Sequence, residues 1–254
     1  MKIKICFLAL SLASLTACGG SSIGSTTVET LWKSPRNTGA GLVRGTANEI
    51  NSVAIVEDVN NAGKYRSFEI EQVISETYNS DGSYSGEVVV KYGDGTRGNV
   101  LGRFYNGAAL YVSSGSESTS FVAGGEQASN LPIGSYTYSG YAESIYVYGG
   151  TDYNEVGSFA MDVQFGNRTA QLNAATPESA YSIGSLSINN NGEINGSNGT
   201  FTVFDNDGTT ELERRSIDFD GTFHSSGATH VSGIAVGGAS TTDDFSIMAI
   251  VGRR

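Results

Sequence analysis

The sequence predicts an all-β fold, and three observations carry the prediction. Glycine is abundant and proline rare, at 34 and 3 of 254 residues, and tyrosine (13) and phenylalanine (11) are frequent while strong helix formers are sparse. Short runs alternate apolar and polar residues, the period-two pattern of a sheet with one dry face, and no window carries a 3.6-residue apolar stripe. Hairpin signals recur at Asp81-Gly82, Asp94-Gly95, Asn106-Gly107, Asn191-Gly192 and Asp207-Gly208, pairs that tolerate the positive φ of tight turns. The predicted architecture is a lipidated N-terminal tether, an N-terminal antiparallel β-domain and a C-terminal eight-stranded antiparallel β-barrel.

The elements follow in chain order. Lys2 and Lys4 precede an apolar run, Ile5 to Leu15, that closes on Leu15-Thr16-Ala17-Cys18. A basic start, a short apolar core and small residues at its end read as a secretory signal over 1–17, too short for a permanent span of about 20 apolar residues. An ordinary signal cut at Ala-x-Ala is the alternative. Leu15-Thr16-Ala17-Cys18, however, resembles the bacterial lipobox, in which the cysteine is acylated and becomes the new N-terminus. Cys18 is therefore the expected lipid-attachment residue, and two or more chains suffice for stable membrane anchoring. By the same resemblance, Gly19 in place of an aspartate favours the outer membrane, surface-exposed or periplasm-facing. Cys6 leaves with the signal, so the mature chain has neither a disulfide nor a thiolate site.

Residues 18–40 open with Gly19-Gly20-Ser21-Ser22 and read as a flexible tether. Residues 41–128 read as the N-terminal β-domain, with strands at Ser52–Val56, Tyr65–Ile74, Gly86–Tyr92, Asn99–Tyr105 and Ala108–Val112 in a meander. Residues 132–254 hold eight candidate strands: Ser135–Tyr141, Gly157–Phe165, Arg168–Ala174, Tyr181–Ile188, Gly199–Phe204, Arg215–Phe223, His230–Val236 and Phe245–Val251. In the second, Phe159, Met161, Val163 and Phe165 face one way, and Ala160, Asp162 and Gln164 the other. Eight antiparallel strands can close into a barrel that is either filled by side chains or holds one small ligand. The strands read as too short, and their outer faces as too polar, for an integral outer-membrane barrel.

Net charge is −11, and close to −13 once Lys2 and Lys4 leave. That sign opposes nucleic acid, whose binding rests on phosphate neutralisation, and leaves solubility or a basic partner. There is no Gly-x-Ser-x-Gly elbow, His-Glu-x-x-His or phosphate loop, so the chain is read as a non-enzyme with no catalytic or metal residues. His224 and His230 could meet on adjacent strands as haem ligands, or flank a turn. Asp205-Asn206-Asp207-Gly208 is half of a calcium loop and reads as a hairpin turn. Tyr146, Tyr148 and Tyr153, beside Gly149-Gly150, are the candidate ligand-binding residues, because tyrosine offers large area and a polar tip at low entropic cost. Tyr136 and Tyr138 read as core.

Gly134-Ser-Tyr-Thr-Tyr-Ser-Gly140, Gly157 to Phe165, Arg168-Thr-Ala-Gln-Leu172, Gly221-Thr-Phe223, His230 to Gly237 and Ile247 to Arg254 occur in this order. Together they resemble the C-terminal eight-stranded barrel of the transferrin-binding protein B family of surface lipoproteins, to which factor H-binding protein is related. The resemblance covers about half the chain and implies non-catalytic binding through variable loops. None of its binding residues can be carried over to a position here. The expected function is an outer-membrane lipoprotein that binds an extracellular protein or small ligand through barrel loops. The alternatives are a structural envelope lipoprotein with a solid barrel, and a haem or iron acquisition protein.

Overall fold

The computed structural model describes residues 27–33, 38–45, 55–56, 65–66, 68–80, 82–92, 97–105, 108–114, 119–238 and 244–254. The signal, Cys18 and the turn pairs Asp94-Gly95 and Asn106-Gly107 lie outside them. The described elements are all strands, and among the described residues no helix is long and apolar enough to cross a membrane.

The first half holds β1 (Thr27–Lys33), β2 (Thr38–Gly45), β3 (Ile55–Val56), β4 (Tyr65–Arg66), β5 (Phe68–Tyr78), β6 (Tyr84–Tyr92), β7 (Arg97–Tyr105), β8 (Ala108–Ser114) and β9 (Thr119–Glu126). Seven of these form one sheet, in the order β1-β2-β9-β8-β7-β6-β5, with β3 and β4 paired separately. The meander β5–β9 is antiparallel throughout. The sheet departs from the fully antiparallel expectation at one place: β2 runs parallel to β9, from Thr38 opposite Thr119 to Gly45 opposite Glu126. The segment read as a tether over 18–40 thus contains β1 and the start of β2. Thr-Val-Glu-Thr-Leu-Trp is rich in β-branched and aromatic residues, and such a run settles as strand once an edge is available to pair with.

The second half is a closed barrel of β10 (Ser135–Tyr148), β11 (Thr151–Gln164), β12 (Thr169–Ala175), β13 (Ser179–Ile188), β14 (Glu193–Phe204), β15 (Glu211–His224), β16 (His230–Gly237) and β17 (Ser246–Arg253). Each strand pairs antiparallel with the next, and β10 pairs with β17 to close the ring. Closure leaves no edge to aggregate. Tyr138, Phe159, Met161, Leu172, Tyr181, Phe201, Phe219 and Phe223 point inward and form one core. The interior is filled by side chains, which decides between the two kinds of eight-stranded barrel.

Phe219 shows how tightly it is filled. Its ring lies over Gly221 and over Gly233, which is paired with Gly221 across β15–β16. A Cβ on Gly221 would sit 2.8 Å from the ring and 2.8 Å from the Ser232 carbonyl oxygen.

Strand lengths correct one sequence argument. β10, β11 and β15 each run 14 residues, which is long enough for a membrane strand. What argues for water is the outer face, where Asp162, Gln164, Gln171, Asn173 and Ser182 are exposed in place of an apolar band.

One part of the outer wall is apolar, and it is covered. Ile145 and Val147 of β10, Ile234 of β16, and Ile247, Ala249 and Val251 of β17 pack against Tyr105, Ala108 and Ala123 of the N-terminal sheet. Ser-Ile-Met-Ala-Ile-Val-Gly is buried on both faces for this reason. Gln127 makes a backbone bridge to His224, and residues 127–134 then lead from the sheet into β10.

Candidate functional site

The candidate site is the end of the barrel where β10 turns into β11, β12 into β13, β14 into β15 and β16 into β17. Tyr148 pairs with Thr151, leaving Gly149-Gly150 as a two-residue hairpin loop with φ of 59° and 81°. Two successive positive φ values are the geometry that matches strand twist, and glycine adopts it without steric cost.

The three tyrosines do not share one environment. Tyr146 and Tyr153 are direct cross-strand partners, and their rings stack at 5.0 Å with planes 4° apart. Tyr146 is fully buried and rests on Phe201 at 5.2 Å, so it belongs to the core instead of a loop surface. Burial and the Glu155 carboxylate push its hydroxyl upward in pKa. Tyr148 and Tyr153 are half-buried and pack on that core from above. One tyrosine is therefore the foundation and two form the rim.

Two charged residues that belong to no sequence motif complete the mouth. Glu155 lies on β11 in the same alternation as Phe159 and Met161, and so faces inward. It accepts hydrogen bonds from Thr176 Oγ1, from Ser179 Oγ at 3.0 Å and from the Glu178 backbone N–H at 3.0 Å, fixing the β12–β13 turn. Arg215 lies on β15 in the alternation of Ile217 and Phe219. It donates to the Phe245 carbonyl at 2.6 Å and the Val147 carbonyl at 2.5 Å, and pairs with Glu213. Its guanidinium lies 5.7 Å from the Phe201 ring centre. Both were legible from strand parity, because a charge at an inward position needs a built partner set.

Around this plug the described rim carries Asp152, Glu178, Asp205, Asp207 and Asp244, while Arg214 is paired with Glu211. Asp205 accepts from the Thr209 and Thr210 amides at 3.0 and 3.1 Å, which lowers its pKa. Asp205 to Gly208 is thus a self-capped turn. Among the described residues no group of three or more His, Cys, Asp or Glu could hold a metal ion.

His224 and His230 do face each other across β15–β16, on the outer wall under the N-terminal sheet and away from the mouth. His224 is fully buried, with Nε2 2.7 Å from Ser232 Oγ. His230 Nδ1 is 2.9 Å from Thr229 Oγ1, and its ring is 6.2 Å from that of Tyr105. Both rings have packing roles. Cys18 lies outside the described residues.

No protein-family model matches the chain, and no curated protein matches it in sequence. Solved structures do match. The isotype 1 transferrin binding protein B of serogroup B Neisseria meningitidis aligns with a TM-score of 0.50 at 11% identity, over 80% of this chain and 39% of that one. A double mutant of the vaccine antigen transferrin binding protein B from Haemophilus parasuis aligns with a TM-score of 0.53 at 13% identity, over 80% and 40%. The chain spans about two fifths of the length of these proteins. Residues 132–254 are less than half of the chain, so the likeness includes N-terminal sheet as well as barrel. At such identity it concerns the fold: this chain is built like part of a transferrin binding protein B.

Proposed function

We propose that this protein is a non-catalytic binding module, held at the outer membrane by lipid on Cys18, that grips a partner protein with the barrel mouth. One observation carries the reading. The rim tyrosines Tyr148 and Tyr153 stand half-exposed beside a glycine hairpin; Tyr153 stacks on the buried Tyr146, and Tyr148 packs on the same core. Rigid aromatic area with a polar tip is what protein recognition surfaces use. A filled barrel favours a protein on the rim over a small molecule inside. The matching structures are named for binding transferrin. With 11–13% identity, that supports a binding role here without carrying over its ligand.

A second reading, a structural envelope lipoprotein, draws on the same filled interior. Site-specific photo-crosslinking separates the two. A photoreactive phenylalanine analogue replaces Tyr148 in one strain and the outward wall residue Asn173 in another, in intact cells with and without serum. The binding reading expects a protein adduct at 148 and none at 173. Adducts at neither position, or equally at both, overturn it. Protease shaving of the same cells, with Cys18→Ala as control, reports surface display and anchoring.

A further inference from the structure

β14 carries a chemical motif that neither the barrel core nor the mouth uses. The chain contains three Asn-x-Ser/Thr triplets: Asn167-Arg168-Thr169, Asn195-Gly196-Ser197 and Asn198-Gly199-Thr200. In an exported chain such a triplet, with no proline in the middle, is an acceptor for N-linked sugar. All three asparagines are exposed, so exposure does not choose among them. Their surroundings do.

The Asn167 carboxamide donates to Gln164 Oε1 at 2.9 Å, and its triplet bends through a turn at Arg168, where φ is 58°. The Asn198 carboxamide donates to Ser197 Oγ at 3.2 Å, from a backbone at φ 60°. Asn195 differs, because its carboxamide has no hydrogen-bond partner among the described residues. A strand sends alternate side chains to the same face, so Glu193, Asn195 and Ser197 stand together on the outer wall while Ile194 is buried. Amide and hydroxyl are thus presented side by side, with a carboxylate two residues before them that also holds the Asn189 side chain. The cross-strand neighbours of Asn195 are Ser187 and Asp220, neither of them bulky, which leaves room above the amide.

The backbone just beyond Asn195 is weakly anchored. β14 pairs with β13 at Asn195 and next at Thr200, and with β15 at Gly196 and next at Gly199. Ser197 and Asn198 pair with neither neighbour. A bulge bends the strand out of its ladder, and a stretch with few ladder bonds opens more readily than its surroundings. A transferase can lift this stretch off the wall and hold amide and hydroxyl without unzipping the barrel.

We propose that Asn195 is a glycosylation site, modified by a transferase that uses a glycosyl diphosphate as donor. Asn195 Nδ2 bonds to the anomeric carbon of the sugar. The bond from that carbon to the diphosphate oxygen breaks, its electron pair leaves with the diphosphate carrier, and Nδ2 gives one proton to a base on the transferase. Nothing is oxidised or reduced. Asn195 lies near the β13–β14 turn, at the end of the barrel away from the mouth, so the sugar leaves the mouth clear and the site does not depend on what the mouth binds.

The test is mass spectrometry of the mature protein isolated from its own cells. Cleavage after Glu193 and Glu211 releases 194–211, and electron-transfer fragmentation locates any added sugar within it. A hexose- or N-acetylhexosamine-bearing increment on Asn195 is expected. Asn195→Gln and Ser197→Ala each reduce it at least tenfold with circular dichroism unchanged, and Asn198→Gln leaves it in place. No increment on Asn195 in the unsubstituted protein overturns the proposal. So does an increment confined to Asn167 or Asn198, or one that survives Ser197→Ala. The unsubstituted protein decides alone if a variant does not fold. A chain without residues 2–17 then names the carrier: sugar retained inside the cell means a nucleotide diphosphate, and sugar lost means a lipid diphosphate used after export.

Discussion

Replacing Gly221 with alanine tests the barrel packing most directly. The new Cβ would lie 2.8 Å from Phe219 Cε1, 2.9 Å from Phe219 Cζ and 2.8 Å from the Ser232 carbonyl oxygen. Carbon contacts are most favourable at about 3.5–4.0 Å, so the overlap is close to 1 Å against a ring on one side and strand backbone on the other. Gly221 has no positive φ, so backbone strain does not enter. Overpacking a full core costs roughly 1–3 kcal/mol. Against this, alanine stiffens the unfolded chain and returns about 0.4–1 kcal/mol. The expected net loss is about 1–2 kcal/mol, read from urea unfolding as a lower midpoint at unchanged slope. Phe219→Leu removes the ring edge but leaves the Ser232 carbonyl. In that background Gly221→Ala costs less, by an interaction energy of at least ~0.5 kcal/mol. A single variant within 0.5 kcal/mol of the parent, or an identical cost in both backgrounds, refutes the packing argument.

Arg215→Met takes the guanidinium donor from the Val147 carbonyl, while the Phe245 carbonyl keeps the Val147 backbone N–H at 3.0 Å; at about 1–3 kcal/mol for one buried unmet group, unfolding should become easier by ~1–3 kcal/mol, and a loss below ~0.5 kcal/mol shows that the plug is dispensable. Burial gives Glu143 a raised folded pKa, so the folded state holds its proton more tightly than the unfolded one and stability falls as pH rises from the ordinary glutamate range to the raised value. Glu143→Gln should therefore remove that decline and be no less stable than the parent at pH 7, as thermal melts across pH 4–8 would read. His230 shifts the opposite way, held down by burial and then by Arg253. The unfolded chain takes up that proton first, so stability is lost as pH drops from about 6.5 toward the folded value, and His230→Phe should flatten that part of the profile.

How much of this was legible in the sequence depends on which physical signal each residue carries. All eight barrel strands show in the alternation of runs such as Phe159 to Phe165 and in glycine turns such as Asn191-Gly192. The end of β10 was misread at Tyr141, because Glu143 to Val147 are buried on both faces and alternation vanishes where a second layer covers the outer wall. Continuing the parity of Tyr136 and Tyr138 through Gly140 would have placed Tyr146 inside. The same rule, applied from Phe159 and from Ile217, finds Glu155 and Arg215. The β2–β9 pairing was not legible: parallel neighbours distant in the chain leave no turn between them to mark. Nor was the covered seam, since Tyr105 and Ile247 come from different elements and only the packing of sheet on barrel brings them together.

The parallel β2–β9 contact also sets how the molecule carries load. If the chain is held at Cys18, as proposed, a pull on the barrel reaches the anchor through the N-terminal sheet, which stands in series between them. Force from the anchor enters at β1, an edge strand, and crosses the β1–β2 and β2–β9 ladders. If those two strands peel away, residues 27–45 extend at about 3.3 Å each and add roughly 60 Å of reach, while every ladder of the closed barrel stays intact. Under that load the sheet edge would be a sacrificial joint that lengthens first and spares the barrel.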